Sequence, residues 1–431
     1  MQEDNKKNVK THSRFNFLMG LLHGIFYNGG IAFGSATTVL PAFLTNFTAS
    51  KVLIGLSSSI MGEIGGVGNI LPQLFVASRI EHRSHKRPLL RFAITIRALC
   101  WGLLALFTYL FAGNNPSIAL WGLFLLLSIF TFMGGVAVVP FMDIWGKTIS
   151  PDLRGRFFGY RQLLGGFLAI FSGLIVKSIL NNSNVAFPDN YALLFLFAFI
   201  LITISYVALG SVKEPFAEVH KEQLPFYDFL RKTTGILKKD TNFRKFLFIQ
   251  ILSGTIALSL PFFVLYAKDV LKIRIGMIGI FLSAQMLGMV LSTIIWGYLS
   301  DHLGSKKVLQ LSILFGLLAP LFALLLPRHC SNLFVLLFVF LSFFISGRVI
   351  SKNSFLLDTA PAKDRPRYVS LEGTFRLPVV FFPLIGGVLV QYSSYTMLFA
   401  ITGFFLLGAF ILSFCLKEPR KLALSHNSTN A

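Results

Sequence analysis

Glu63 is the residue whose type and position promise the most chemistry. It lies about twelve residues into an apolar run over 51–79, roughly 17 Å along a helix rising 1.5 Å per residue, and no other acid in the sequence is so deep. A carboxyl in such surroundings can take and release a proton, the property a proton-coupled carrier needs. The structural alternative is that Glu63 packs among Gly62, Gly65, Gly66 and Gly68 and pairs with Arg97, which sits in the run over 89–112. Glu63 and Arg97 are therefore the coupling candidates.

Arg348 and Lys352 are four apart and share a helix face, so they could hold an anionic substrate group. Against this, Lys352 can reach the interface with its long stem and Arg348 can answer Glu372, which makes both structural. Glu372 and Arg376 form an i,i+4 pair, and Asp143 and Arg161 could pair between neighbouring runs. Ion pairs that hold one conformation and break in another fit an inner gate, with static packing as the alternative. The uncharged candidates for a central cavity are Tyr27, Asn28, Gln250 and Gln285, and each could instead bond a neighbouring backbone. His23 and His82 lack partners at metal-ligand spacing, and Cys100, Cys330 and Cys415 are too scattered for a disulfide framework. We expect no metal and no cofactor. No Gly-rich phosphate loop points to an ATPase, and no nucleophile–base cluster points to an enzyme.

The elements that would position these groups are set by composition. Hydrophobic residues make up 54% of the 431, Phe occurs 47 times and charged residues amount to 13%, more apolar than a soluble chain of this length needs. Runs long enough to cross a bilayer as helices lie at 15–45, 51–79, 89–112, 117–146, 157–180 and 190–210, then at 243–267, 275–300, 307–327, 332–358, 367–391 and 394–416. They are continuously apolar rather than alternating, which excludes barrel strands. The expectation is an all-α membrane protein of about twelve spans. Its domains are an N-terminal segment 1–14, a six-helix bundle 15–210, a linker 211–242, a second bundle 243–416 and a tail 417–431.

The net charge of +21 does not imply nucleic acid, because the basic residues sit beside alternate helix ends instead of on one face. Clusters such as Arg79–Arg91, Lys147–Arg161 and Lys213–Lys245 fall on one side, with Lys51, Lys268, Lys272, Arg274 and Arg328 on the other. This places both termini in the cytoplasm, at the plasma (inner) membrane, against an anionic leaflet. The first run is too long for a signal peptide and should stay as a helix.

The halves also echo one another. Pro151-Asp-Leu-Arg-Gly-Arg-Phe-Phe follows the fourth run and Pro361-Ala-Lys-Asp-Arg-Pro-Arg-Tyr the tenth, with Asp143 and Asp358 just upstream. Repeated halves suit a carrier whose two bundles rock about a central site. After the eighth run, residues 297–309 read GYLSDHLGSKKVL. This stretch resembles the loop G-x-L-x-D-x-x-G-x-[RK]-[RK] of the major facilitator superfamily, with Gly297, Leu299, Asp301, Gly304, Lys306 and Lys307 matching. In that pattern Gly297 permits close helix approach, Gly304 a tight turn, and Asp301 a contact with a helix N-terminus or an Arg. The equivalent after the second run, Ser78 to Pro88, keeps an acid and basic cluster without the glycines. Arg154-Gly-Arg-Phe-Phe-Gly-Tyr-Arg also resembles the loop before the fifth helix of bacterial members.

The resemblance implies two six-helix bundles related by a pseudo-two-fold axis and secondary active transport of a small-molecule substrate by alternating access. Proton coupling and a monomeric state in the lipid bilayer go with it; a facilitated-diffusion carrier and a non-transporting sensor are the alternatives. It assigns the cytoplasmic gate loop to Gly297, Asp301, Gly304, Lys306 and Lys307, and the pairing and repeat readings above add Asp143, Arg154, Arg156 and Arg161 of the first half. Asp358, Arg365, Arg367, Glu372 and Arg376 complete it in the second. Gly165, Gly166 and Gly173 occur without the proline that exporters carry in their fifth helix, which argues against a drug/proton antiporter. Pro383-Leu-Ile-Gly-Gly is read as a packing kink.

Overall fold

The computed structural model describes residues 2–62, 85–215, 235–238, 240–361 and 365–419, and every described element is helical. Glu63 and His82 lie outside the described residues. The helices are α1 (Gln2–Ala32), α2 (Val39–Leu44), α3 (Lys51–Met61), α4 (Arg87–Phe111), α5 (Pro116–Thr148), α6 (Pro151–Asn181) and α7 (Asp189–Ser211). They continue as α8 (Thr241–Gly254), α9 (Leu260–Asp269), α10 (Met277–Leu303), α11 (Ser305–Leu325), α12 (Val335–Thr359), α13 (Arg365–Phe375), α14 (Phe382–Tyr392) and α15 (Tyr395–Phe414). Among the described residues ten helical spans are long and apolar enough to cross a membrane. The two expected spans missing from the ten are the first, whose helix α1 is described but is not among them, and the second, seen only as α3, so the count of twelve is not reached among the described residues.

Local sequence explains the ends. Proline opens α4, α5 and α6, where its missing N–H costs nothing. Asp240 caps α8 by accepting from Phe243 N at 2.8 Å, and Ser394 caps α15 by accepting from Met397 N at 3.1 Å. Three spans expected to be continuous are broken. The first stops at Ala32 and resumes as α2 after a turn in which Leu40 N donates to Ser35 O at 3.0 Å. The seventh passes through a short 3-10 turn at Thr255–Leu258 before Pro261 restarts it as α9. The eleventh is interrupted at Leu377–Phe381, between Pro378 and Pro383, so the expected kink spreads over a whole turn.

The chain divides into two compact units. One comprises Met1–Ala49, Leu56–Lys221 and Arg274–Met286; the other comprises Ser50–Gly55, Glu222–Ile273 and Leu287–Ala431. The main division falls inside the expected linker, but a short segment of each half belongs to the other half's unit. The outward faces carry Phe92, Tyr109, Trp121 and Phe404, each more than half exposed, as a surface solvated by lipid tails requires. Inside, small hydroxyl pairs join helices: Ser292 with Ser346 at 2.5 Å and Ser259 with Thr402 at 2.7 Å.

Each unit is closed at its basic end by the same clasp. In the first, Asn16 of α1 donates to Lys213 O and accepts from Lys213 N, both at 2.9 Å, and Glu214 accepts from the backbone N–H groups of Lys86 and Arg87 that open α4. In the second, Asn242 of α8 makes the same two bonds to Lys417, and Glu418 accepts from Lys306 N at 2.9 Å at the start of α11. The sequence signature is Asn-Phe at 16–17 and 242–243, with Lys-Glu-Pro at 213–215 and 417–419.

Glycine is irreplaceable where backbones touch. A Cβ on Gly386 would overlap the Leu258 carbonyl, and backbone cannot move aside as a side chain can. Gly386→Val should therefore fail to yield folded protein, while Gly408→Val on α15, whose Cβ meets nothing within 4 Å among the described residues, should purify normally. Size-exclusion profiles in detergent check both.

Candidate functional site

Five helices of the first unit, α1, α4, α5, α6 and α7, enclose a cavity of about 190 Å³. Its polar wall is His23, Tyr27, Arg97, Arg161 and Tyr206, and its apolar wall includes Leu90, Ile94, Val138, Phe141 and Leu209. Among the described residues no carboxylate lines it.

Arg97 is only 9% exposed. It donates through Nε to the Tyr206 hydroxyl at 2.6 Å and through a terminal nitrogen to the Tyr27 hydroxyl at 3.1 Å, and its guanidinium lies 4.1 Å from the Phe130 ring centre. These partners orient the charge without neutralising it. Arg161 lies over the faces of Phe141, Phe157 and Phe158 at 5.4, 5.6 and 5.7 Å, and its Nε has no hydrogen-bond partner among the described residues. Gly24 makes room for it, because a Cβ there would occupy the space of the Arg161 stem. Gly24→Val should push Arg161 out of the cavity and reduce solute binding at least about tenfold, the loss expected when a buried charged contact is removed; isothermal titration with any ligand found for the wild type checks it.

His23 is fixed by Ser205. The serine hydroxyl donates to His23 O at 2.9 Å, so its oxygen accepts from His23 Nδ1 at 2.6 Å. The ring's other nitrogen, Nε2, is then the group offered to a ligand or proton. Among the described residues no cluster of His, Cys, Asp and Glu could hold a metal ion.

Of the sequence-derived cavity candidates, Tyr27 and Arg97 meet here, and Asn28, the next residue of α1, packs against Gly165 instead. Gln285 accepts from Thr37 at 3.3 Å. Gln250 and Arg348 bind each other in the second unit: Arg348 Nε donates to Gln250 Oε1 at 2.8 Å and a terminal nitrogen to Gln250 O. Arg348 therefore answers Gln250, while Glu372 lies 3.8 Å from Lys352 and 4.0 Å from Arg376.

The expected Asp143–Arg161 pair is not formed. Asp143 meets Lys147 at 2.5 Å and Lys86 at 3.1 Å, and Lys147 also reaches Glu214 at 3.3 Å. Lys147 lies one turn along α5 from Asp143, which leaves Arg161 to turn into the cavity. Arg154 serves carbonyls, Ile149 O at 3.1 Å and Gly146 O at 2.6 Å, while Arg156 and Lys307 are exposed. Asp301 is exposed, and it, Asp358 and Arg367 all have interaction partners. The side chain of Arg365 lies outside the described residues.

Gly304 has φ of +85°, the backbone region glycine enters freely, and Glu418 fills the space a Cβ would take. Lys306 donates through Nζ to Phe414 O at 3.1 Å. Gly297 departs from its expected role: no described atom lies within 4 Å of a Cβ placed there, so no described contact requires glycine. Residues missed by the sequence reading are Tyr206, Lys86, Glu214 and Glu418, and the repeated Lys-Glu-Pro was a signal that could have found the last two.

Residues 246–430 match the sequence family described as Major Facilitator Superfamily. No curated protein matches the chain by sequence. Among solved structures, a variant of the nucleoside transporter NupG superimposes with a TM-score of 0.71 at 12% identity, covering 93% of this chain and 99% of that one. A D-xylose-proton symporter gives 0.65 at 15% identity with 95% and 98% covered, and the xylose transporter XylE from E. coli 0.65 at 14% with 94% and 97%. A fold shared over nearly the whole chain with solved membrane transporters and ten apolar helical spans among the described residues make the chain a multi-pass membrane protein, and its residues 246–430 match the Major Facilitator Superfamily.

Proposed function

We propose that the chain is a secondary active transporter, not an enzyme, that carries a small solute across the plasma membrane by alternating access, driven by a proton gradient. The observation that carries this reading is the cavity of the first unit, where two arginines, a histidine and two tyrosines converge inside apolar helices. Ionisable groups at that depth are expensive and persist where solutes or protons pass. Coupling is assigned to Glu63 with Arg97, supported by the depth of the acid in the sequence; one fold neighbour is itself a proton symporter. The basic ends face the cytoplasm, as the charge bias argues. The Lys86–Asp143–Lys147–Glu214 network and the Glu418 clasp flank the loops that must move between states, so they serve as conformational latches.

The test is uptake into proteoliposomes from a radiolabelled solute panel, with and without an imposed proton gradient. Accumulation above equilibrium only with the gradient supports the reading, and absence of flux for every solute overturns it. Glu63→Gln should retain solute exchange but lose gradient-driven accumulation. Full accumulation by that variant would remove Glu63 from the coupling path.

A further inference from the structure

We propose that the cavity between α1, α4, α5, α6 and α7 binds the carboxylate of a small organic anion between the guanidinium groups of Arg97 and Arg161. Arginine stays protonated even when buried, so the cavity wall carries two fixed positive charges. Their described partners are phenols and phenyl faces, which orient a cation without cancelling it. Among the described residues neither guanidinium has a carboxylate partner, and an entering anion supplies the opposite charge. The planar guanidinium matches the two oxygens of a carboxylate, and Arg161 keeps an unused Nε donor among the described residues.

The rest of the wall defines the body of the ligand. Leu90, Ile94, Val138 and Leu209 face it with hydrocarbon, and Phe141 adds a ring. About 190 Å³, below the roughly 300–1,000 Å³ typical of drug-sized sites, gives room inside the pocket for about one ring or a short chain. His23, oriented by Ser205, can present its Nε2 to a second polar group or share a proton with the carboxylate.

The inference rests on the transport reading only for movement of the anion, since binding stands without it. Binding is read on the full-length protein in detergent by thermal unfolding, using benzoate, benzamide and benzamidine as one planar frame carrying negative, neutral and positive groups. Acetate and inorganic phosphate serve as further anions. Benzoate or acetate should raise the unfolding temperature saturably, with benzamide weaker and benzamidine without effect.

Arg161→Gln should weaken the anion at least about tenfold. Val138→Phe, which fills the cavity and leaves both charges in place, should abolish the effect, so the two variants together guard against misfolding of either. Equal stabilisation by benzoate in wild type and Val138→Phe would overturn the proposal, because the anion would then act elsewhere. Stabilisation by no anion would also overturn it. So would anion binding that appears only in Glu63→Gln, since the acid would then be the internal counter-ion. Phosphate alone acting would overturn the carboxylate assignment. Solid-supported membrane currents separate the two readings: saturable benzoate binding without current retires transport and keeps the site, and current with a neutral or cationic solute but no anion binding does the reverse.

Discussion

Glu214→Ala is expected to destabilise the protein by roughly 3–5 kcal/mol, the range for removing one partner from a buried ion pair. The Glu214 side chain is 2% exposed and holds three things at once. It accepts from Lys86 N at 3.0 Å and Arg87 N at 2.9 Å, two donors at the start of α4 with no intrahelical partner, and it neutralises Lys147 at 3.3 Å. Alanine leaves both N–H groups and part of the Lys147 charge unanswered. Glutamine keeps an acceptor for one N–H and should cost about half as much, near 1–3 kcal/mol for the lost charge-assisted bonds. Asp143→Asn should cost less again, because that side chain is 26% exposed and Lys147 keeps Glu214 as a partner. The measurement is thermal unfolding in one detergent across the series. If Asp143→Asn proves the most damaging, the clasp is not what closes the unit. Glu418→Ala should fall between the two, since Glu418 answers one backbone N–H and one hydroxyl.

The fold was largely legible because spanning a bilayer demands long apolar helices, and the basic residues beside alternate ends leave a second, independent pattern. Breaks inside spans were less legible. Pro261 and Pro383 signal two of them, but the stop at Ala32 depends on Ser35 and Thr37 hydroxyls bonding each other and on Trp101, distant in sequence, filling the space beside Gly34. The site was half legible for the same reason. Tyr27 and Arg97 stood out as polar groups at depth. Tyr206 did not, because a phenol in an apolar run reads as packing until the helix that meets it is known. By sequence Arg161 could pair with Asp143 between neighbouring runs, and the structure gives that acid two lysines instead. The Asn–Lys–Glu clasp was present twice as short words, Asn-Phe and Lys-Glu-Pro, but the paired words lie 197 and 175 residues apart in sequence and only the fold joins them.

Arg97→Met is expected to lose solute binding by at least about a hundredfold while leaving stability within about 1 kcal/mol of wild type or raising it. Replacing a buried ion with an apolar side chain of similar length removes a desolvation penalty, a change often worth 1–4 kcal/mol in favour of folding. Against that stands the loss of one donor each to the Tyr206 and Tyr27 hydroxyls, about 1–3 kcal/mol in all. Adding Tyr206→Phe removes the larger part of the second cost, so the double variant should unfold at a higher temperature than Arg97→Met alone. A residue kept only for structure predicts the opposite order, with Arg97→Met collapsing the unit. The remaining possibility, a Glu63–Arg97 pair inside the protein, has its own signature. Each single change would then destabilise strongly, and Glu63→Gln with Arg97→Met together would recover most of the loss, a coupling of about 3 kcal/mol that near-additive effects would exclude.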